Sequence, residues 1–374
     1  MLTQAEVLTL HRSLRGERVL SVYIDGSAAD PAEQRSWRTQ LDHHLDKIRH
    51  SLDKTLPGEE DRLEQCLGLL TSSLAGLDPS IGAPGWAAFV TSDRVHESAA
   101  LSSGTPTLAK WRTGAYLAPY FRALKDNRPA VVIVADATEA TIYVHRAGTL
   151  ERKDTIHAHH PVDPPQHMGT PPRPGFHTGT RGTTGHDMAQ RALLKGRDRM
   201  LADTAARVAE LADGDSWVVL GGIRRETSQL EGELASVAPH RVITLPSLDV
   251  HASEAEIAAG ARAGAAELQD AADAKRVAEI AGAAAAHGLG AVGAAATKYA
   301  LEQACVRDLY VTDRYVGRYE RDAEDAVRAA LDQDAVVEEV SGKAAELLDA
   351  EGGIAAGLRF RPAPIGGAAG AERR

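Results

Sequence analysis

Cysteine is nearly absent: Cys66 and Cys305 are the two in 374 residues. They lie far apart and form no ligand spacing, which argues against a disulfide framework and a cysteine zinc site and points to a reducing compartment. Aromatic residues make up 4 % of the chain, so cores of Leu, Val, Ile and Ala are expected and platforms for stacking bases are not. No apolar run is long enough to cross a bilayer, and Met1-Leu2-Thr3-Gln4 does not open a signal peptide. A cytoplasmic protein without a membrane partner is therefore expected. A formal charge of −10 argues against a chain that coats nucleic acid along its whole surface, and no DNA partner is expected, but it permits one basic face on an acidic body.

That basic face is concentrated in one stretch. Six of the fifteen histidines (His157, His159, His160, His167, His177 and His186) fall within thirty residues. Pro161, Pro164, Pro165, Pro171, Pro172 and Pro174 forbid helix there, and Gly169, Gly175, Gly179, Gly182 and Gly185 loosen the backbone. A loop over 157–187 is expected, with Gly182-Thr183-Thr184-Gly185 at its tip, and a loop of that length is usually functional. It leads into an amphipathic helix from Met188 to about Ala202. Between Gln166 and Met200 stand six basic side chains, Arg173, Arg181, Arg191, Lys195, Arg197 and Arg199, against Asp187 and Asp198. Such a patch invites phosphate, with His177 and His186 beside it. His157-x-His159-His160 offers several imidazoles at short spacing, but only Asp163 is near as a further ligand and the spacing fits no known metal pattern, so no metal or other cofactor is expected.

Alternation of helical and strand-like patterns predicts an α/β protein of three consecutive α/β domains. The first, 1–127, contains the apolar run Val19–Asp25, a helix over Trp37–Lys54 striped by Leu41, Leu45, Ile48 and Leu52, a helix near Leu63–Leu74, a strand at Gly85–Thr91 and a helix at Leu117–Leu124. The second, 128–248, opens with a hairpin, Val131–Asp136 and Ala140–Val144, and after the loop continues through a strand Trp217–Gly222, a helix Glu226–Leu234 and a strand Val242–Leu245. Asp25 and Asp136 each close a strand, where they read as turn formers, and Gly221-Gly222 reads as a strand-to-helix turn. The third domain, 249–364, opens with an Ala-rich helix, Ser253–Ala286, in which Ser253 and Glu256 form a capping box. Helices and strands then alternate to Phe360. Residues 365–374 form a Gly/Ala-rich tail expected to be disordered. From Asp249 onward there are fourteen basic and twenty-two acidic side chains, a surface expected to face protein or solvent.

Arg181-Gly182-Thr183-Thr184-Gly185, the helix after it, and Val218-Val219-Leu220-Gly221-Gly222 with its following helix together resemble the central domain of archaeal and eukaryotic class I release factors. Gly288 to Gly293, Leu309 to Asp313 and Gly352-Gly353-Ile354-Ala355-Ala356-Gly357-Leu358-Arg359-Phe360 look like their C-terminal domain, which is similar to kink-turn-binding ribosomal proteins. The N-terminal unit looks like the divergent first domain of their bacterial relatives, the group of Pelota-like and Balon-like factors. The resemblance covers about residues 1–362. It implies a ribosome-binding translation factor that occupies the A site of idle or stalled ribosomes, in hibernation or rescue, and sends its basic loop toward the peptidyl-transferase centre. Ribosomal RNA is the implied partner, with an elongation-type GTPase as a candidate for delivery. The family's Gly-Gly-Gln tripeptide is missing: Gly221-Gly222 and Gly352-Gly353 are each followed by Ile. An Asn-Ile-Lys-Ser motif is also missing from the first domain. Peptide release by that chemistry is not expected, no catalytic residue is assigned, and a non-enzymatic factor is favoured. The alternative is a hydrolase of peptidyl-tRNA or RNA that uses a non-standard or metal-bound loop.

Overall fold

The computed structural model describes residues 1–27, 36–52, 58–77, 81–159, 182–212 and 216–363, with the backbone alone at 182–189. The tail expected at 365–374 lies outside the described residues. The chain forms two compact units, one of residues 1–127 with 270–374 and one of 128–269.

The first unit begins with α1 (Gln4–Leu14), which a capping box starts: the Thr3 amide donates to the Glu6 carboxylate at 2.8 Å, and the Glu6 amide to the Thr3 hydroxyl at 3.4 Å. Then come β1 (Arg18–Asp25), α2 (Trp37–Ser51), α3 (Glu59–Ala75), β2 (Gly85–Val90), β3 (Val95–Leu101), β4 (Leu108–Thr113) and α4 (Ala118–Asp126). The four strands make an antiparallel sheet in the order β3-β2-β1-β4. Side chains alternate across a strand, so Leu20, Val22 and Ile24 meet the expected stripe Leu41, Leu45 and Ile48 of α2 together with Leu63 and Leu70 of α3. Val19 and Tyr23 enter a second core on the other face. The run Arg18–Asp25 is almost continuously buried because both faces are covered.

The second unit holds β5 (Ala130–Ala135), β6 (Glu139–Arg146), β7 (Thr149–His157), α5 (Gly182–Leu211), β8 (Trp217–Gly222), α6 (Arg224–Leu234) and β9 (Val242–Thr244). Its sheet runs β7-β6-β5-β8-β9, with β5, β8 and β9 parallel and the other pairs antiparallel. The hairpin β5–β6 is the one the sequence predicts. Strand β7 is not, because it is an edge strand whose residues Thr149–Lys153 are mostly exposed and polar, which hides the alternation. The Ala147-Gly148 turn before it has positive φ at both residues, 53° and 77°, the geometry of a two-residue hairpin turn. At the end of β8, Gly222 has φ 104°, and a Cβ there would sit 2.1 Å from the Ala135 carbonyl oxygen, so only glycine fits this turn. Asp136 is the turn former expected of it: its carboxylate accepts from the amides of Thr138 at 2.6 Å and Glu139 at 2.8 Å. Burial pushes that carboxyl up, but these hydrogen bonds outweigh it and hold it below its ordinary value.

Helix α7 (Glu254–Ala285) starts at the predicted capping box, with the Ser253 amide donating to the Glu256 carboxylate at 2.8 Å and the Glu256 amide to the Ser253 hydroxyl at 3.4 Å. Gly264 lets it lie close on the second sheet, since a Cβ would be 2.8 Å from Val219. The chain then rejoins the first unit through β10 (Gly290–Val292), α8 (Ala294–Glu302), β11 (Val306–Thr312), α9 (Asp313–Arg318), α10 (Glu320–Leu331), β12 (Val336–Val340), α11 (Gly342–Ala350) and β13 (Ile354–Leu358). This third sheet runs β10-β13-β11-β12, and the fold is mixed α/β throughout.

Within the first unit, the N-terminal and C-terminal segments share a core in which Val7, Leu14 and Phe121 join Leu309, Val311 and Val327. Acidic side chains of the C-terminal segment meet basic ones of the N-terminal segment around it. Lys125 Nζ lies 2.6 Å from Asp273 and 3.1 Å from Glu338, Arg112 lies 2.6 Å from Glu324, and Arg122 lies 2.8 Å from Glu339. Lys110 pairs with Glu320 and Arg12 with Asp334. Part of the acidity expected to face protein or solvent is thus matched inside the chain.

Candidate functional site

Helix α5 is thirty residues long, about 45 Å at 1.5 Å per residue. Its two halves differ. Met200, Leu201, Thr204, Ala205 and Val208 are buried against the second sheet, at the i, i+4, i+8 and i+1, i+5 positions of one helix face. Toward the N-terminus that contact ends. Gln190, Arg191, Leu193, Leu194 and Lys195 are exposed and Ala192 is half-buried; since successive residues step by about 100°, six in a row with none buried leave most of the helix surface free among the described residues. Two apolar side chains, Leu193 at 48 % and Leu194 at 38 % exposure, stand in the open.

Two features mark where the free half begins. A Cβ on Gly196 would lie 2.5 Å from the carbonyl oxygen of His159, so the backbone leaving β7 crosses α5 at this glycine. At the next residue, Arg197 turns inward. It is 8 % exposed and its guanidinium lies 3.5 Å from the carboxylate of Glu226 in the first turn of α6, itself 3 % exposed. Arg197 Nη2 also donates to Asp198 at 3.0 Å and Gln229 at 3.4 Å.

Of the six basic residues read as phosphate contacts, Arg191, Lys195 and Arg199 are exposed on α5. Their i, i+4, i+8 spacing places them on one stripe. Arg199 has Asp203 as a loose partner at 3.9 Å. Arg197 corrects the expectation: it is buried in an ion pair and does not present its charge to a phosphate. The pattern Arg197, Leu201, Thr204, Val208 is itself a core-facing period of 3.6, a signal that a count of charges overlooks. Arg173, His177 and Arg181 lie outside the described residues. The expected loop tip Gly182-Thr183-Thr184-Gly185 is the first part of α5 and His186 follows in it, though the side chains of 182–189 are outside the description. Their own helix propensity is poor. A helix already nucleated by its packed half extends at little cost, which accounts for this difference from the sequence reading. Glu226, Gln229 and Gly196 were not singled out by the sequence as site residues, and His159 was read only for its imidazole, whereas its backbone carbonyl is what meets Gly196; these roles arise only where two elements cross.

Among the described residues, no three His, Cys, Asp or Glu side chains converge in a way that could hold a metal ion. His157 lies 3.5 Å from Glu139. Asp25, like Asp136, binds its own turn, accepting from the Ser27 amide at 2.9 Å. The site therefore consists of a positively striped helical arm whose base is held by a glycine crossing and a buried ion pair.

Comparison with known proteins bears on this arm. Residues 116–266, which contain all of α5 and its sheet, match the model of bacterial archaeo-eukaryotic release factor family 10. This segment is similar to that release-factor family. The resemblance read from the sequence is thus found independently in the segment that carries the arm. Among solved structures, Archaeoglobus fulgidus Pelota is 15 % identical, over 74 % of this chain and 79 % of that one, with a TM-score of 0.41. Dom34 of S. cerevisiae, a translation termination-like factor involved in RNA quality control pathways and interacting with Hbs1, is 10 % identical over 69 % and 75 %, with a TM-score of 0.42. The archaeal translation termination factor aRF1 is 18 % identical over 96 % and 99 %, with a TM-score of 0.25. No curated protein matches.

Proposed function

We propose that this chain is a release-factor-like translation factor that binds the ribosome and occupies the A site of idle or stalled particles, with α5 as the arm that contacts ribosomal RNA. The observation that carries the reading is the stripe Arg191, Lys195 and Arg199, exposed on a helix that leaves its sheet inside the segment that matches a release-factor family. Three cations on one helical face suit the phosphate backbone, which they grip without reading sequence. With no Gly-Gly-Gln tripeptide in the chain, occupancy in hibernation or rescue is the favoured role, rather than Gly-Gly-Gln-dependent release.

The test is co-sedimentation of the full chain with vacant bacterial ribosomes across a salt series, beside the variant Arg191→Glu/Lys195→Glu/Arg199→Glu. Binding that falls steeply with salt and is lost in the variant supports the reading. Equal binding by both proteins removes the arm from it, and no binding at low salt discards the ribosome as partner.

A further inference from the structure

The ion pair at the base of the arm has a geometry that stability does not account for. Among the described residues, Arg197 Nε and Glu226 Oε2 are both buried without a hydrogen-bond partner, although the two side chains approach to 3.5 Å through their other atoms. A buried ion pair with unmatched polar atoms is costly, and an apolar pair of similar volume is often as stable or more so. Hydrogen bonds and ion pairs are directional, whereas an apolar contact tolerates rotation and sliding. The pair also sits where direction matters, one residue beyond the Gly196 crossing and at the last inward-facing position before the free half of α5. Its partners fix it from two sides: Arg197 binds Asp198 on its own helix and Gln229 on α6, and Gln229 donates back to Asp198 at 3.4 Å.

We propose that Arg197 and Glu226 are a positioning pair that sets the direction and rotation of the α5 arm, and so the face on which Arg191, Lys195 and Arg199 are presented to RNA. The stripe begins six residues before Arg197, about 9 Å along the axis, and a slip of one residue would turn it by about 100°. A small error at the base therefore carries the cations off their phosphates. That the arm binds RNA rests on the function proposed above; that the pair orients the arm does not.

The experiment separates the two. Nitroxide labels are placed at Leu193→Cys on the arm and Glu151→Cys on β7, both exposed, in the full chain whose native Cys66 and Cys305 are buried. Pulsed dipolar spectroscopy should give one narrow distance distribution. In Arg197→Met/Glu226→Met the melting temperature should hold or rise while the distribution broadens and ribosome affinity falls several-fold. A folded double variant with an unchanged distribution overturns the positioning role. If that variant does not fold, Glu226→Gln provides the same comparison with the same two outcomes. Broadening with undiminished ribosome binding upholds the positioning role and overturns the RNA-contact reading of the arm.

Discussion

Gly196 and His159 are in backbone contact: a methyl group on the glycine would stand 2.5 Å from the histidine carbonyl oxygen. Helix α5 and the exit of β7 can cross there only because residue 196 has no side chain. Gly196→Ala should therefore force the two elements apart and destabilise the second unit by about 1–3 kcal/mol, read as a lower urea midpoint. Gly232→Ala in α6, where an added Cβ meets nothing within 4 Å, is the control. It should stabilise by about 0.5–1 kcal/mol, since alanine favours helix.

Single substitutions on α5 should divide into two kinds. Arg191→Ala, Lys195→Ala and Arg199→Ala each remove one exposed cation and should lower the salt dependence of ribosome binding by roughly one unit of slope, with melting unchanged. Arg197→Ala should instead lower the melting temperature, because it leaves the buried Glu226 carboxylate without its cation. Co-sedimentation across salt, paired with thermal melts, distinguishes them.

Lys125 ties the two segments of the first unit together. Its side chain is 8 % exposed and bridges Asp273 and Glu338, so Lys125→Met should cost about 1–3 kcal/mol by removing one cation from two largely buried carboxylates. Urea unfolding of the full chain measures this, and a cost below 1 kcal/mol would show that the bridge contributes little.

Glu339 gives the first unit a pH dependence. Burial, and then Asp313 beside it, push its carboxyl from an ordinary 4.5 up to about 8, with Arg122 and Lys125 pulling the other way. Between those values the folded chain holds a proton that the unfolded chain has released. Its contribution is thus fully present below about pH 4.5 and lost as pH rises through about 8. Urea midpoints at pH 5, 7 and 9 should fall more steeply in the wild type than in Glu339→Gln; parallel profiles would remove Glu339 as the cause.

Elements with a strong local signature are legible in the sequence. The stripe Leu41, Leu45, Ile48 became the buried face of α2, and Ser253 and Glu256 became the capping box of α7. Gly221-Gly222 became a strand-to-helix turn. Strand β7 escaped the sequence reading because its residues are largely polar and exposed, so hydrophobic period carries little information there; helix α1, with Val7 and Leu14 buried on one face, was missed although its period was present.

What the sequence determined by itself is local: where apolar period, caps and turn residues start and stop each element, and that positive charge collects on α5. Which of those charges faces outward was decided only by tertiary structure. Arg197 and Lys195 are two residues apart and equally basic, yet one is buried against Glu226 and the other stands in solvent. Two residues on a helix differ by about 200°, and the side that becomes interior depends on α6 and β7 packing against it. The same holds for the acidic C-terminal segment, whose Glu338 and Asp273 meet Lys125 more than a hundred residues away in the chain. Charge is a property of residues, but its availability to a partner is a property of the fold.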